Sequence, residues 1–175
     1  PVAPNMRATL VECPGEACEA MGFERLQTLF CNAELSRVDI AFDHAPFTPR
    51  DVAAWIRCGN VRSRAKRRRF VEDLGGGEGE SVTMGSRMSG QYLRIYDQRG
   101  FTRVELELKD DHARAFHSLV LEPAQEFVRH SIGALRCFVD FVDMAGQTNV
   151  SRAPLLDAWR DFTEGLERAK FFVGP

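Results

Sequence analysis

The chain has 175 residues and a net charge of −2, with 44% hydrophobic and 27% charged residues. These proportions are typical of one soluble globular domain and exclude a disordered chain. No apolar run approaches the roughly 18–20 residues that cross a bilayer, and residues 1–10 lack a signal-peptide pattern. We therefore expect a cytoplasmic protein without membrane contact. An initiator Met is absent, which is consistent with a single domain, 1–175, from a longer protein.

Positive charge is concentrated in residues 57–69, which hold seven Lys and Arg and no acid. Removing those seven charges from the total of −2 leaves −9 on the rest of the chain. This asymmetry indicates a patch that faces nucleic acid on an otherwise acidic body. Because a glycine-rich stretch at 75–79 follows, we expect 60–80 to form a mobile basic arm. Five cysteines at loose spacings, without a CxxC pattern, predict reduced thiols.

Period-two alternation of apolar residues identifies the strands. In one segment Val104, Leu106 and Leu108 share a face, and the charged residues between them share the other. The short loop 98–100 predicts an antiparallel hairpin between two of these strands. The alternation predicts strands over 37–43, 91–97 and 103–109, with weaker ones over 81–85 and 8–13.

Helical spacing of apolar residues identifies the helices. Thr48 is a typical N-cap before Pro49, and the helix that they begin closes near Gly59. Further helices are predicted from 110 to before Pro123, over 127–142, and over 155–170 along a stripe centred on Trp159. The order of strands and helices predicts an α+β fold, with an antiparallel sheet, helices packed on one face and a polar opposite face.

The predicted polar face combines acids, arginines and tyrosines. One interpretation is a solvated sheet face, on which the acids and arginines form weak cross-strand ion pairs and have no catalytic role. The same residue types also suit phosphodiester transesterification, because carboxylates bind Mg²⁺ or Mn²⁺, arginines clamp phosphate and a tyrosine hydroxyl can be a covalent nucleophile. The face contains Arg37, Asp39, Asp43, Tyr92, Arg94, Tyr96, Arg103, Glu105 and Glu107.

Three blocks, SRVDIAFD, VTMGSRMSGQYLRIYDQ and RVELELKDDHARAF, closely resemble the replication initiation factor family. That family includes rolling-circle initiators of plasmids, replication proteins of filamentous phages and relaxases of integrative conjugative elements. The resemblance runs in order over residues 34–116, with a weaker echo over 153–162. It implies that a tyrosine nicks one DNA strand and that the polar face carries the active site.

The resemblance assigns Tyr96 as the nucleophile and places the two metal-binding acids at Asp39 and Glu105. Arg94 and Arg103 are the candidate phosphate clamps, although each could instead neutralise the acids. Tyr92, two positions away on the same face, is the rival nucleophile. The Mg²⁺ or Mn²⁺ site is expected to be oxygen-ligated, since the four histidines form no His-hydrophobic-His pair. His112 follows the Glu105 strand and is the one histidine that could still reach the metal. Asp43 and Glu107 could each hydrogen-bond to a metal ligand without contacting the metal, or could simply be solvated.

One departure from the family pattern is Gln98, where family members usually have Lys, and Arg99 beside it could substitute. The basic run adjoins the proposed nick site in sequence and is expected to contact DNA phosphates, which contribute affinity without sequence readout. The candidate DNA-binding residues are Arg62, Arg64, Lys66, Arg67, Arg68, Arg69 and Arg99.

The sequence therefore predicts a metal-dependent enzyme that nicks a replication origin and forms a 5′-phosphotyrosyl link to start rolling-circle replication of a plasmid or phage. One alternative is a relaxase that starts conjugative transfer, and another is a non-catalytic DNA-binding module. The expected partners are single-stranded or hairpin DNA at a replication or transfer origin, a host helicase and, by analogy with plasmid initiators, a second copy of the chain.

Overall fold

The computed structural model describes residues 11–72 and 79–168. Within these ranges the chain forms six helices and seven strands. The helices are α1 (Gly15–Met21), α2 (Phe23–Phe30), α3 (Pro49–Arg57), α4 (Asp110–Val120), α5 (Ala124–Phe138) and α6 (Asp157–Arg168). The strands are β1 (Arg37–Ala45), β2 (Val61–Ser63), β3 (Arg68–Glu72), β4 (Glu80–Gly85), β5 (Gln91–Gln98), β6 (Phe101–Lys109) and β7 (Val139–Phe141).

Five strands form one antiparallel sheet in the order β1-β6-β5-β4-β3, and β2 pairs with β7 in a small second sheet. The strands β5 and β6 form the predicted hairpin, whose two turn residues, Arg99 and Gly100, have φ values of 48° and 100°. Two consecutive positive φ angles match the twist of a tight hairpin. The predicted α+β class with an antiparallel sheet is confirmed.

The apolar face of the large sheet forms the core with the helices. Ile40, Leu106, Leu93 and Met84 are register partners across four strands, and each is at most 6% exposed. They belong to one buried cluster with side chains of α3, α4, α5 and α6. Since each such side chain stabilises the fold by about 1.5–3 kcal/mol on burial, this face fixes which side chains point outward. The predicted layer of helices on one face is confirmed.

The start of α3 also agrees with the sequence prediction. The Thr48 hydroxyl accepts a hydrogen bond from the Asp51 amide at 3.2 Å, and the Asp51 carboxylate accepts one from the Thr48 amide at 2.8 Å. This reciprocal capping box satisfies two backbone donors that a helix start leaves free.

The prediction of a mobile basic arm over 60–80 is wrong for the described part of that segment. Residues 61–63 form β2, and residues 68–72 form β3 at the edge of the large sheet. Phe70 pairs with Val82 and contributes to the core, so alternation places Arg69 on the opposite face. The strand was obscured in the sequence because charged residues dominate an edge position, where they discourage aggregation.

The prediction of a helix over 127–142 is wrong at its end. The helix α5 ends at Phe138, because β7 follows and pairs with β2 through buried residues. Val142 then bridges Leu155, so α6 begins at Asp157 rather than at residue 155.

Three other predictions fall at the limits of the described chain. Residues 11–13 form no strand, and residues 8–10 of that predicted strand lie outside the described residues, as do 75–78 and 169–170. Within the described ranges, no helix is both long and apolar enough to cross a membrane.

Candidate active site on the polar sheet face

The antiparallel register brings the predicted site residues onto one face of the sheet. Tyr96 pairs with Arg103, Arg94 pairs with Glu105, and Asp39 pairs with Glu107. Side chains of directly opposed residues point to the same side of a sheet. The same face of β5 also carries Tyr92, which pairs with Glu107.

Glu105 links the tyrosine to an arginine. The Tyr96 hydroxyl donates a hydrogen bond to Glu105 Oε2 at 2.9 Å, and Arg94 Nη2 donates to the other carboxylate oxygen, Oε1. The Arg94 guanidinium also lies 5.7 Å from the centroid of the Tyr96 ring. Glu105 is only 7% exposed, whereas Tyr96 and Arg94 are half-buried, so a substrate can approach the tyrosine and the arginine more readily than the carboxylate.

The surroundings of Tyr96 stabilise its neutral form. Burial raises the pKa of the phenol, and the hydrogen bond to the Glu105 carboxylate raises it further, while Arg103 acts in the opposite direction. A phenol with a raised pKa is protonated at neutral pH. Attack by the Tyr96 oxygen therefore requires a group that accepts its proton, and Glu105 is already in hydrogen-bonding position.

Two arginines flank the tyrosine and differ in their partners. Arg103 forms a two-pronged ion pair with Asp43, with nitrogen–oxygen distances of 2.5 and 2.8 Å, and also interacts with Tyr96. Burial opposes charging of Arg94, but the contact with Glu105 more than offsets it, and the pKa is raised. The buried Nε of Arg94 has no hydrogen-bond acceptor among the described residues. Both guanidinium groups remain positively charged beside the phenol.

The other end of the face is an ion-pair network around Glu107. Arg37 Nη2 lies 2.6 Å from Asp39 Oδ2 and 2.8 Å from Glu107 Oε2, and Lys109 Nζ lies 2.6 Å from Glu107 Oε1. The Glu107 side chain is only 6% exposed, and that of Asp39 is 32% exposed. Asp39 is therefore the more accessible acid at this end.

The carboxylates have the donor chemistry for a hard divalent cation, but they do not form a dedicated cage. Among the described residues, no group of three or more His, Cys, Asp or Glu side chains is placed to hold a metal ion. Mg²⁺ commonly uses one or two carboxylates and completes its shell with water and substrate phosphate. Asp39 and Glu105, on adjacent strands of one face, fit that limited role.

The rival nucleophile and the candidate histidine are both packed against neighbours. Tyr92 is 9% exposed, and the Arg87 guanidinium lies 5.7 Å from its ring centroid. The His112 ring lies against Gly90, where an added Cβ would be 2.5 Å from His112 Cδ2. Greater exposure makes Tyr96 the more accessible of the two tyrosines.

The seven predicted DNA-binding residues fall into two groups. Arg62 Nη2 donates to the buried Asp140 at 2.7 Å, and Arg68 Nε donates to the Ala65 carbonyl at 3.1 Å, so these two guanidinium groups have partners within the fold. Arg69 pairs with Thr83, which pairs with Arg94, and this places Arg69 on the face of Tyr96. The exposed members are Arg64, Lys66, Arg67, Arg69 and Arg99.

The sequence did not predict three features of this face: the partner of Asp43, the contact of His44 and the position of Arg69. Asp43 was recognised on the face, but its pairing with Arg103 depends on a bulge in β1 between Phe42 and Ala45. The same bulge brings His44 against Phe101, and nothing in the alternation of either strand indicates that contact. The placement of Arg69 could have been found from the alternation of Phe70 with its charged neighbours.

Comparison with solved structures finds a protein with a similar fold. The chain is similar to a structure described as the rolling circle replication initiator protein from Geobacillus stearothermophilus, with a TM-score of 0.73 and 24% sequence identity. The match covers 91% of this chain and 69% of that protein. No protein-family model and no curated protein matches the chain. The likeness establishes a shared fold and confirms at that level the resemblance seen in the sequence.

Proposed function

We propose that this protein nicks DNA with Tyr96 and transfers the strand through a 5′-phosphotyrosyl intermediate to initiate rolling-circle replication. The observation that carries the proposal is the hydrogen bond from Tyr96 to Glu105, flanked by Arg94 and Arg103 on an accessible sheet face. The shared fold with a rolling circle initiator supports it independently.

The chemistry follows from the positions of these side chains. The Tyr96 oxygen forms a bond to a backbone phosphorus, its proton passes to Glu105, and the bond from phosphorus to the 3′ oxygen breaks. The departing 3′ oxygen takes up a proton and leaves as a hydroxyl. Arg94 and Arg103 stabilise the charge that develops on the phosphate oxygens. Rejoining is the reverse reaction, because the phosphotyrosyl bond retains the energy of the phosphodiester.

We further propose that Asp39 and Glu105 hold Mg²⁺ or Mn²⁺ when DNA is bound. Such a cation favours the phenolate and neutralises phosphate charge. The proposal predicts a weak site in the free protein, because Arg37 and Arg94 already neutralise these two carboxylates.

The DNA partner is supported by the exposed basic residues. Arg64, Lys66 and Arg67 precede β3, and Arg69 extends the positive charge onto the face of Tyr96. We propose that this basic strip contacts the phosphates of a single-stranded or hairpin origin. A host helicase, a second copy of the chain and a cytoplasmic location belong to the same proposal. The same chemistry would serve a relaxase of an integrative conjugative element.

A non-catalytic DNA-binding module is the second candidate. The observation that favours it is that Asp39, Asp43, Glu105 and Glu107 are all ion-paired, which is also what a purely structural polar face requires.

Nicking separates these candidates directly. The protein is incubated with Mn²⁺ and either negatively supercoiled plasmid or a random library of single-stranded oligonucleotides, and is then denatured in SDS. A nickase gives a covalent protein–DNA adduct that Tyr96→Phe abolishes and Tyr92→Phe retains. DNA binding without any adduct, with Mg²⁺ and Mn²⁺ both tried, would establish the binding module instead.

A further inference from the structure

Two aromatic rings lie together on the polar face, near the turn between β5 and β6. The centroids of the His44 and Phe101 rings are 4.4 Å apart, with 37° between the ring planes. His44 is exposed, and Phe101 is half-buried. This pair therefore differs from the other aromatic contacts around Trp159, which are part of the core.

The ring pair is adjacent to the proposed nucleophile. Phe101 lies two residues before Arg103 on the same face of β6, a step of about 6.5–7 Å, and Arg103 is the register partner of Tyr96. The Arg103 guanidinium lies 5.9 Å from the Phe101 ring centroid, and its carboxylate partner Asp43 immediately precedes His44. The ring of Phe101 is thus next to the Tyr96–Arg103 pair on this face, and a group stacked on it would lie beside the proposed nucleophile.

The backbone holds the histidine ring in this position at a cost. His44 lies in the β1 bulge with φ of 59°, a left-handed conformation that side-chain-bearing residues seldom adopt. Beside the rings is an open cleft of about 370 Å³, lined by residues 44–48, 51 and 100–102, which include both rings and the acid Asp51. The result is an accessible aromatic surface with open space next to it and the guanidinium of Arg103, which is paired with Asp43, at its edge.

We propose that His44 and Phe101 form a stacking subsite for one unpaired nucleobase of the DNA strand, next to the phosphate that Tyr96 attacks. This inference rests on the proposed function. A flat ring surface beside a guanidinium group suits a base and its phosphate, since stacking on aromatic side chains accepts any base and arginine binds the backbone. The subsite requires an unpaired strand, because a base within a duplex has both faces covered.

The test compares two 12-nucleotide probes with the same number of phosphates, oligo(dT) and a strand of abasic residues. Stacking of a base is expected to make oligo(dT) bind the wild-type protein about 5- to 150-fold more tightly than the abasic strand. Phe101→Leu and His44→Asn should remove most of this preference without changing affinity for the abasic strand. Asn tolerates the left-handed backbone at position 44. Phe101→Trp, which keeps an aromatic ring at this position, should retain the preference for oligo(dT).

Phe70→Leu is the matched control, because Phe70 is also a half-buried ring beside an arginine, with Arg57 at 5.5 Å, but it lies on the opposite face. This control should keep the full preference for oligo(dT). Equal binding of the two probes by the wild-type protein, or a preference that survives both ring substitutions, overturns the subsite. In that case adduct formation through Tyr96 would still establish the proposed nicking function. Absence of binding to either probe also overturns the subsite, whereas the proposed nicking function is decided separately by adduct formation through Tyr96.

Discussion

Replacing Glu105 with Gln tests how the polar face activates its tyrosine. The substitution keeps the shape and one oxygen acceptor but removes the charge and the ability to take the Tyr96 proton. The loss of a hydrogen bond to a charged group and of the Arg94 ion pair, which is partly exposed, should lower the free energy of unfolding by about 1–3 kcal/mol. Loss of the proton acceptor should slow adduct formation by about 10²- to 10⁴-fold.

The same substitution should lower the pKa of Tyr96. The chain contains two tyrosines, so in a Tyr92→Phe background the phenolate absorbance of the metal-free protein reports Tyr96 alone. Its titration should occur above the ordinary value of about 10 and move to lower pH when Glu105 becomes Gln. Because the folded pKa is raised, the stability that Tyr96 contributes is present at neutral pH and is lost as the pH rises through that value.

Glu107→Gln is the matched control for the Glu105 experiment. Glu107 is on the same strand and face, is equally buried and has two ion pairs, but it does not contact Tyr96. It should lower stability by a similar amount and leave the Tyr96 titration in place. If Glu105→Gln leaves both the titration and the rate of adduct formation at wild-type values, the assignment of Glu105 as proton acceptor is refuted.

Two further predictions concern the charged residues on β7 and on β3. The Asp140→Ala substitution should lower the free energy of unfolding by about 3–5 kcal/mol in urea titrations, because the carboxylate accepts hydrogen bonds from Arg62 and from the fully buried Trp159 indole. A loss under 1 kcal/mol would show that solvent replaces these contacts. The Arg69→Ala substitution should reduce the slope of log affinity for single-stranded DNA against log salt by about 1, whereas Arg68→Ala should leave it unchanged. Equal slopes for the two variants would contradict the placement of Arg69 on the DNA-binding face of β3.

The main sheet was predictable because its strands alternate cleanly between buried and polar residues. Val104, Leu106 and Leu108 had to face the core, and that requirement alone places Glu105 on the opposite side. The start of α3 was equally legible, since Thr48 and Asp51 act within four residues of each other. Both are local signals, which a single sequence contains in full.

The remaining features depend on contacts between distant segments. Whether Arg62 faces DNA or the interior is decided by Asp140, which is 78 residues away, is buried and accepts a hydrogen bond from the Trp159 indole. The ion pair between Asp43 and Arg103 depends on a bulge, which changes the direction of side chains without changing composition. The edge strand β3 was masked because its arginines resemble a solvated loop.

Identifying the residue that becomes linked to DNA tests the role of Tyr96 most directly. The covalent adduct formed with single-stranded oligonucleotides and Mn²⁺ is digested with nuclease and protease, and the modified peptide is sequenced by mass spectrometry. The modified peptide should contain Tyr96, with the tyrosine oxygen joined to the 5′ phosphate of the DNA fragment downstream of the cut. A nucleotide on Tyr92 or on a serine, or cleavage that leaves no covalent link, would contradict it.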